Sequence, residues 1–314
     1  MPFDFTQVSS PFRMQPGLRR VAPGSAQLTP SGPNGRHLRE KLAVLASTAD
    51  EALVTAAGFD AVPALHAIAR EAALAPRPAF TFEATNDCSA PRLGWAVHGG
   101  RPEGTGEAAI GALLASLPAS KRATALLCLA FEEDFAVIDG ATATIPWLAV
   151  CLPSRWAPEE KVGRHFAEVH APVADNAMLL ESSDRLARLV TAADRWERFV
   201  WTISADPRLH QHPARGNVPW PDDADAEAIA ALASFRHEHQ TFIPVPGTGQ
   251  AVFTIRVASE PLDSALRSRE DASRLHDALA SMTLAVLDYR GLGSVRGRLL
   301  EALTRRIASL PAAS

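Results

Sequence analysis

Residues 123–151 read Ala-Thr-Ala-Leu-Leu-Cys-Leu-Ala-Phe-Glu-Glu-Asp-Phe-Ala-Val-Ile-Asp-Gly-Ala-Thr-Ala-Thr-Ile-Pro-Trp-Leu-Ala-Val-Cys. Ala123–Phe131 is a short apolar run, and Ala141–Cys151 is a second. Asp139-Gly140 between apolar segments is a hairpin signal, because both central positions of a type I′ turn need positive φ. The pattern predicts three strands, over 123–131, 134–138 and 142–151. Adjacent strands joined by a tight turn are antiparallel, and that decides the fold class.

Working outward, Pro153-Ser154-Arg155-Trp156-Ala157-Pro158 closes the hairpin. Pro158 suits a first helical position, and Glu159 and Glu160 suit the positive end of a helix dipole. Val162, Phe166 and Val169 then share one helical face, with His165 and His170 beside it. Pro172 ends this helix and leaves His170 near its C-terminus. Ser183-Asp184 caps another helix, with Leu186, Leu189, Val190 and Ala193 inside. Residues 199–204 read as a strand and 205–225 as a loop. Phe235–Phe242 and Ala251–Ala258 read as a strand pair around the Pro244–Gly249 turn. Residues 261–310 are helical and end in Arg296, Arg298, Arg305 and Arg306. Upstream, Leu38, Leu42, Leu45 and Ala49 recur at helical spacing, and a second helix starts at Pro63 and buries Leu65, Ile68 and Ala69. Residues 1–33 read as an extended arm over the surface, with Arg13, Arg19 and Arg20 as a small solvated cluster. Strand and helix do not alternate, so a doubly wound parallel sheet is disfavoured. An α+β fold with an antiparallel central sheet is expected.

Composition narrows the function. The chain has 314 residues, 47% apolar and 21% charged, with a formal net charge of −4. That balance excludes disorder and gives no general attraction to nucleic acid or anionic membrane. The longest apolar runs fall short of the roughly 20 residues a spanning helix needs. Met1-Pro-Phe-Asp-Phe carries an early acid and no basic-then-apolar segment, so a cytoplasmic protein is expected. Cys88, Cys128 and Cys151 form no CxxC, which argues against a disulfide framework and a cysteine-rich zinc site.

No GxGxxG, GxxxxGK[ST], HExxH or GxSxG occurs. The histidines are the informative polar residues. His237 and His239 share one face of a strand, and two such imidazoles suit one metal, though a polar strand face has the same pattern. His210 and His212 repeat the spacing in a loop. His170, beside Val169 and Phe166, suits an axial imidazole in an apolar slot, or a structural role. Glu132, Glu133 and Asp134 offer a base with a raised pKa if buried; a solvated strand end is the reading preferred.

A set of segments in order then resembles a known family. The set comprises Pro11-Phe12-Arg13-Met14-Gln15-Pro16-Gly17-Leu18, Glu133-Asp134-Phe135, Pro153-Ser154-Arg155-Trp156, Pro158, Lys161-Val162-Gly163 and Val169-His170-Ala171-Pro172-Val173. It continues with Val200-Trp201-Thr202-Ile203, Glu238, Gln240-Thr241-Phe242, Val252-Phe253-Thr254-Ile255-Arg256, Pro261-Leu262 and Tyr289-Arg290-Gly291-Leu292. It resembles the haem-dependent oxidative N-demethylase family, which includes the haem-binding catalytic subunit of dimethylamine monooxygenase.

The resemblance implies an arm over 1–33 and one PAS-like haem b domain over 34–314 with a helical C-terminal extension. It implies a monooxygenase that demethylates a small secondary or tertiary amine with dioxygen and releases formaldehyde. Electrons would come from NAD(P)H through a separate flavin and iron–sulfur reductase, in a homo- or hetero-oligomeric assembly. His170 is the implied iron ligand. Arg155 and Lys161 are implied propionate or structural contacts, with Trp156 beside them, and Glu238 the group that orients a protonated amine. Where the family has Glu-Arg-Gln-Thr-Leu, this chain has Glu238-His239-Gln240-Thr241-Phe242. A fixed charge becomes titratable at His239, a candidate second haem contact. Two other readings stand beside the enzyme: a haem-based gas or redox sensor, and a non-haem metal protein using the HxH pairs.

Overall fold

Long antiparallel ladders organise the chain. The structure is a computed structural model that describes residues 3–22, 24–84 and 87–310. Residues 1, 2 and 23 of the expected arm, and 311–314 of the expected domain, lie outside the described residues. The described strands are β1 (Arg19–Arg20), β2 (Leu53–Thr55), β3 (Thr81–Ala84), β4 (Asp87–Ala90), β5 (Trp95–His98), β6 (Arg101–Gly104), β7 (Asp134–Asp139), β8 (Trp147–Ala149), β9 (Trp196–Ser204), β10 (Ser234–Val245) and β11 (Gln250–Pro261). Among them, seven form an antiparallel sheet in the order β1-β9-β10-β11-β7-β8-β2, and β3 to β6 form a smaller antiparallel meander. The α+β expectation stands at that level. No helix among the described residues is long and apolar enough to cross a membrane.

β10 and β11 pair without a break from Ser234↔Pro261 to Val245↔Gln250. Side chains alternate along a strand, so Arg236, Glu238, Gln240 and Phe242 share one face of β10 and Phe235, His237 and His239 the other. The second face meets the N-terminal arm: the Phe3 ring lies 5.0 Å from Phe235 and 4.8 Å from His237. Phe3, Phe5 and Val8 are buried with the C-terminal helices Arg269–Ala280, Leu284–Tyr289 and Arg296–Ser309. The start of the arm is therefore core rather than a surface strap. Arg19 and Arg20 are exposed and pair with Glu197 and Asp194.

The decisive stretch departs from its reading. Residues 123–131 are not a strand: Ala119–Ala130 is a helix in which Ala123–Ala130 are all buried. A run enclosed on every side shows no period, and its alanines and leucines favour a helix. The hairpin exists, with Phe135↔Ala149 and Val137↔Trp147 paired, but its connection is long. Asp139 accepts from the N–H groups of Ala141 (3.0 Å) and Thr142 (2.9 Å), and the positive φ falls on Ala143 at 51°. Gly140 is needed for closeness instead. A Cβ there would overlap Thr191 Oγ1 and lie 2.8 Å from the Gly249 carbonyl oxygen.

The helix expected from Pro158 is also interrupted. Pro158–Glu160 is one 3-10 turn, and Gly163 takes φ 78°. Ile145 donates to the Arg164 carbonyl (3.2 Å) and accepts from Gly163 (2.9 Å), while Phe166 donates to Ala143 (2.7 Å). That pairing withdraws the backbone from helix until Phe166–His170. A short helix, Ala177–Glu181, intervenes before Ser183–Val190, which buries Ala187 and Val190, but Ser183 does not cap it and Leu189 and Ala193 are exposed. Glu133 and Asp134 are buried, contrary to the solvated reading. The Glu133 carboxylate accepts both contacts from Thr29 N–H (3.0 and 2.9 Å), and Asp134 pairs with buried Lys41 at 3.0 Å.

Candidate functional site

The face of the large sheet that carries Ala136, Arg198, Val200, Glu238, Gln240 and Ile255 floors a cavity of about 510 Å³. Small-molecule and cofactor sites commonly span roughly 300–1,000 Å³. The opposite walls are the Ser154–Lys161 loop, the Phe166–His170 helix, the arm at Met14–Pro16, and Tyr289 with Arg290. His170, Arg155, Trp156, Lys161 and Glu238 all line this one space.

His170 is placed by its short helix. Its Nδ1 lies 2.8 Å from the Phe166 carbonyl oxygen, and its ring sits 4.0 Å from that of Phe166. A carbonyl only accepts, so Nδ1 carries the proton and Nε2 carries the lone pair. Burial pushes the pKa down to about 4, so the ring is neutral at pH 7. His165 differs: its Nδ1 accepts from Ala167 N–H (3.2 Å) and its Nε2 donates to Asp184 (3.0 Å). Of the two, only His170 offers a free nitrogen.

Arg155 sits at φ 63°, a left-handed conformation that costs a non-glycine residue about 1–2 kcal/mol. Its N–H donates to Gln211 O (2.9 Å), Ser154 bridges to Gln211, and its guanidinium donates to Arg290 O (3.1 Å). The loop is thus pinned with that side chain at the cavity. Lys161, half-buried, lines the cavity beside exposed Glu160. Glu238 accepts from Ser154 Oγ and, at 2.6 Å, from Gln240 Nε2. Ser154 Oγ accepts in turn from Arg236 Nη2 at 2.7 Å. Burial lowers the Arg236 pKa to about 10, still charged at pH 7.

Arg198 and Arg236 were missed from sequence, and Tyr289 and Arg290 were singled out only as part of a motif, with no role at the site. Arg236 stands two residues from Glu238, so alternation on β10 gives it away; Arg198 fell one residue outside the expected strand. Arg198 has a buried Nε with no hydrogen-bond partner. Arg290 lies between the rings of Phe12 (4.6 Å) and Trp201 (5.2 Å) and donates to Trp201 O, tying the arm to β9.

His239 does not reach the cavity. It stacks on Phe199 at 4.5 Å and bonds Glu197 at 2.7 Å on the other face of β10, so it is no second haem contact. His237 shares that outer face, and among the described residues neither HxH pair brings both its imidazoles together with a third ligand. Among the described residues, one His/carboxylate cluster has ligand spacing: Glu51, Glu159 and His212. His212 Nδ1 accepts from Ala214 N–H (3.1 Å), so Nε2 holds the proton and donates to Glu159 (3.2 Å). That is a hydrogen-bonded pair, with no lone pair left on the ring for a metal.

The residues present fit a haem. They supply a neutral imidazole with a free lone pair, apolar walls from Trp156, Ile145, Leu148 and Phe253, and cations able to face carboxylates. Residues 104–300 match the family model described as haem-dependent oxidative N-demethylase, alpha subunit-like, and the chain belongs to that family.

Proposed function

We propose that this protein is a haem-dependent monooxygenase that removes an N-methyl group from a small amine. The observation that carries the reading is His170: a neutral ring, fixed by Phe166 and facing a cavity of about 510 Å³. Haem b in that cavity supplies the redox chemistry with dioxygen. In our reading His170 Nε2 holds the iron, and Arg155 and Lys161 face the propionates. Trp156 gives an apolar wall, and Glu238 accepts an N–H of the protonated amine. Glu238 keeps that role because two of its roughly four lone-pair sites remain open after Ser154 and Gln240. The antiparallel sheet, with a short helix roofing one face, is the architecture a PAS-like haem domain would have.

The overall reaction consumes one dioxygen, two electrons and two protons. One oxygen atom leaves as water. The other enters the N-methyl group, whose hydroxymethyl product separates into formaldehyde and the demethylated amine. The electrons come from NAD(P)H through a partner flavin and iron–sulfur protein, in keeping with the alpha-subunit description of the family. Cys88, Cys128 and Cys151 are all buried, and none is offered to a cluster at the surface.

The test is a haem titration of the full chain, followed by formaldehyde release from methylated amines with a reductase. A saturable Soret band that shifts with dithionite, and turnover that needs dioxygen, is expected. No Soret band at full haem supply would overturn the reading.

A further inference from the structure

Arg198 and Glu238 are diagonal neighbours on the cavity face. Arg198 on β9 is opposite Gln240 on β10, and Glu238 is opposite Val200. Diagonal residues on adjacent strands lie about 7–8 Å apart, so their side chains reach one small molecule. We infer that the substrate is an N-methylated amino acid, whose carboxylate meets Arg198 and whose amine meets Glu238. This rests on the oxygenase reading and names the substrate class of the same site.

The cations around the cavity divide by what they already hold. Arg236 donates to Arg208 O (2.9 Å), Leu209 O (2.9 Å) and Ser154 Oγ. Arg290 is held between Phe12 and Trp201, and Arg155 bonds Arg290 O. Lys161 and Arg155, which line the same cavity, are the cations our reading assigns to the two propionates. Like the others Arg198 has no ion pair among the described residues, but it alone of these four arginines makes no side-chain hydrogen bond there, and its Nε is buried without a partner. A buried N–H without an acceptor is costly, and the nearby acid Glu238 is already held by Ser154 and Gln240, so the site calls for an anion at Arg198. A simple alkylamine brings only positive charge into a space where cations outnumber the acids Glu160 and Glu238. An amino acid zwitterion supplies one charge to each member of the Arg198–Glu238 pair.

The experiment titrates the haem-loaded full chain with N,N-dimethylglycine and with dimethylamine, read by the Soret change and by calorimetry. N,N-dimethylglycine should bind at least tenfold more tightly. Arg198→Gln should lose that preference at least tenfold while keeping the resting Soret band, and Arg198→Lys should keep part of it. Equal or tighter binding of dimethylamine, or no calorimetric binding of either, overturns the inference while a haem-loaded protein leaves the oxygenase reading intact. Loss of haem in Arg198→Gln also overturns it, since Arg198 would then be a propionate contact. A wild-type chain that takes up no haem removes the oxygenase reading, and this inference with it.

Discussion

Nδ1 of His170 lies 2.8 Å from the carbonyl oxygen of Phe166, one helical turn upstream. The bond fixes both the tautomer and the ring plane, as a carbonyl or carboxylate acceptor behind the ring does for metal-bound histidines elsewhere. His170→Ala should abolish the Soret band of the haem-loaded protein, whereas His165→Ala, whose ring already holds Ala167 and Asp184, should leave it in place. A His170→Ala protein with an unchanged spectrum would remove His170 from the iron.

Acid should release what His170 holds. Its folded pKa is about 4 against an ordinary 6.5, so the native state favours the neutral ring and the unfolded chain binds the proton first. The contribution is complete above pH 6.5 and is lost as pH falls toward 4. In the folded protein the ring stays neutral until about pH 4, so haem retention followed by absorbance should persist through pH 5 and fall as pH passes about 4; loss already complete at pH 6 would contradict it.

Glu133 acts in the other direction. Burial raises its pKa to about 7 from 4.5, against the two contacts from Thr29 that favour the charged form. The folded state then prefers the protonated acid, a benefit present below pH 4.5 and lost as pH rises through 7. Glu133→Gln removes this titration. Its Tm relative to wild type should rise between pH 5 and pH 7.5; a constant difference would refute the shift.

Lys41 and Asp134 form a buried ion pair at 3.0 Å. Lys41 also donates to the Phe131 (3.1 Å) and Glu133 carbonyls, and Asp134 accepts from Leu152 N–H at 2.6 Å. Lys41→Met strands the carboxylate and should cost about 3–5 kcal/mol by urea unfolding. A loss under about 1 kcal/mol would mean that the pair is open to water.

Gly140→Ala should destabilise by about 1–3 kcal/mol, because the new methyl meets Thr191 Oγ1 and the Gly249 carbonyl. Adding Thr191→Ala should recover only part, since the carbonyl stays 2.8 Å away. Full recovery would show that the backbone there yields freely.

The long ladders were legible because β9, β10 and β11 are bounded by turn residues and rich in β-branched and aromatic side chains. The helix at Ala119–Ala130 was not, since burial on all sides erases the periodicity that separates helix from strand. The break after Glu160 was hidden because Gly163 and the pairing with Ala143–Ile145 are tertiary effects. At the site, His170 and Glu238 could be picked out by motif. Arg198 could not, because its importance lies in lacking a partner, which only packing reveals. His239 misled for the opposite reason: adjacency to Glu238 in the chain is separation by a whole sheet in space.

That alternation makes β10 a two-sided tape whose reading depends on its register. A slip of one residue against β9 and β11 would deliver His237 and His239 into the cavity and turn Arg236 and Glu238 out toward Phe3. The register is set by the Pro246–Gly249 turn, where Gly247 and Gly249 take φ 78° and 68°. A single inserted or deleted residue in that distant turn would exchange a guanidinium–carboxylate floor for an imidazole one.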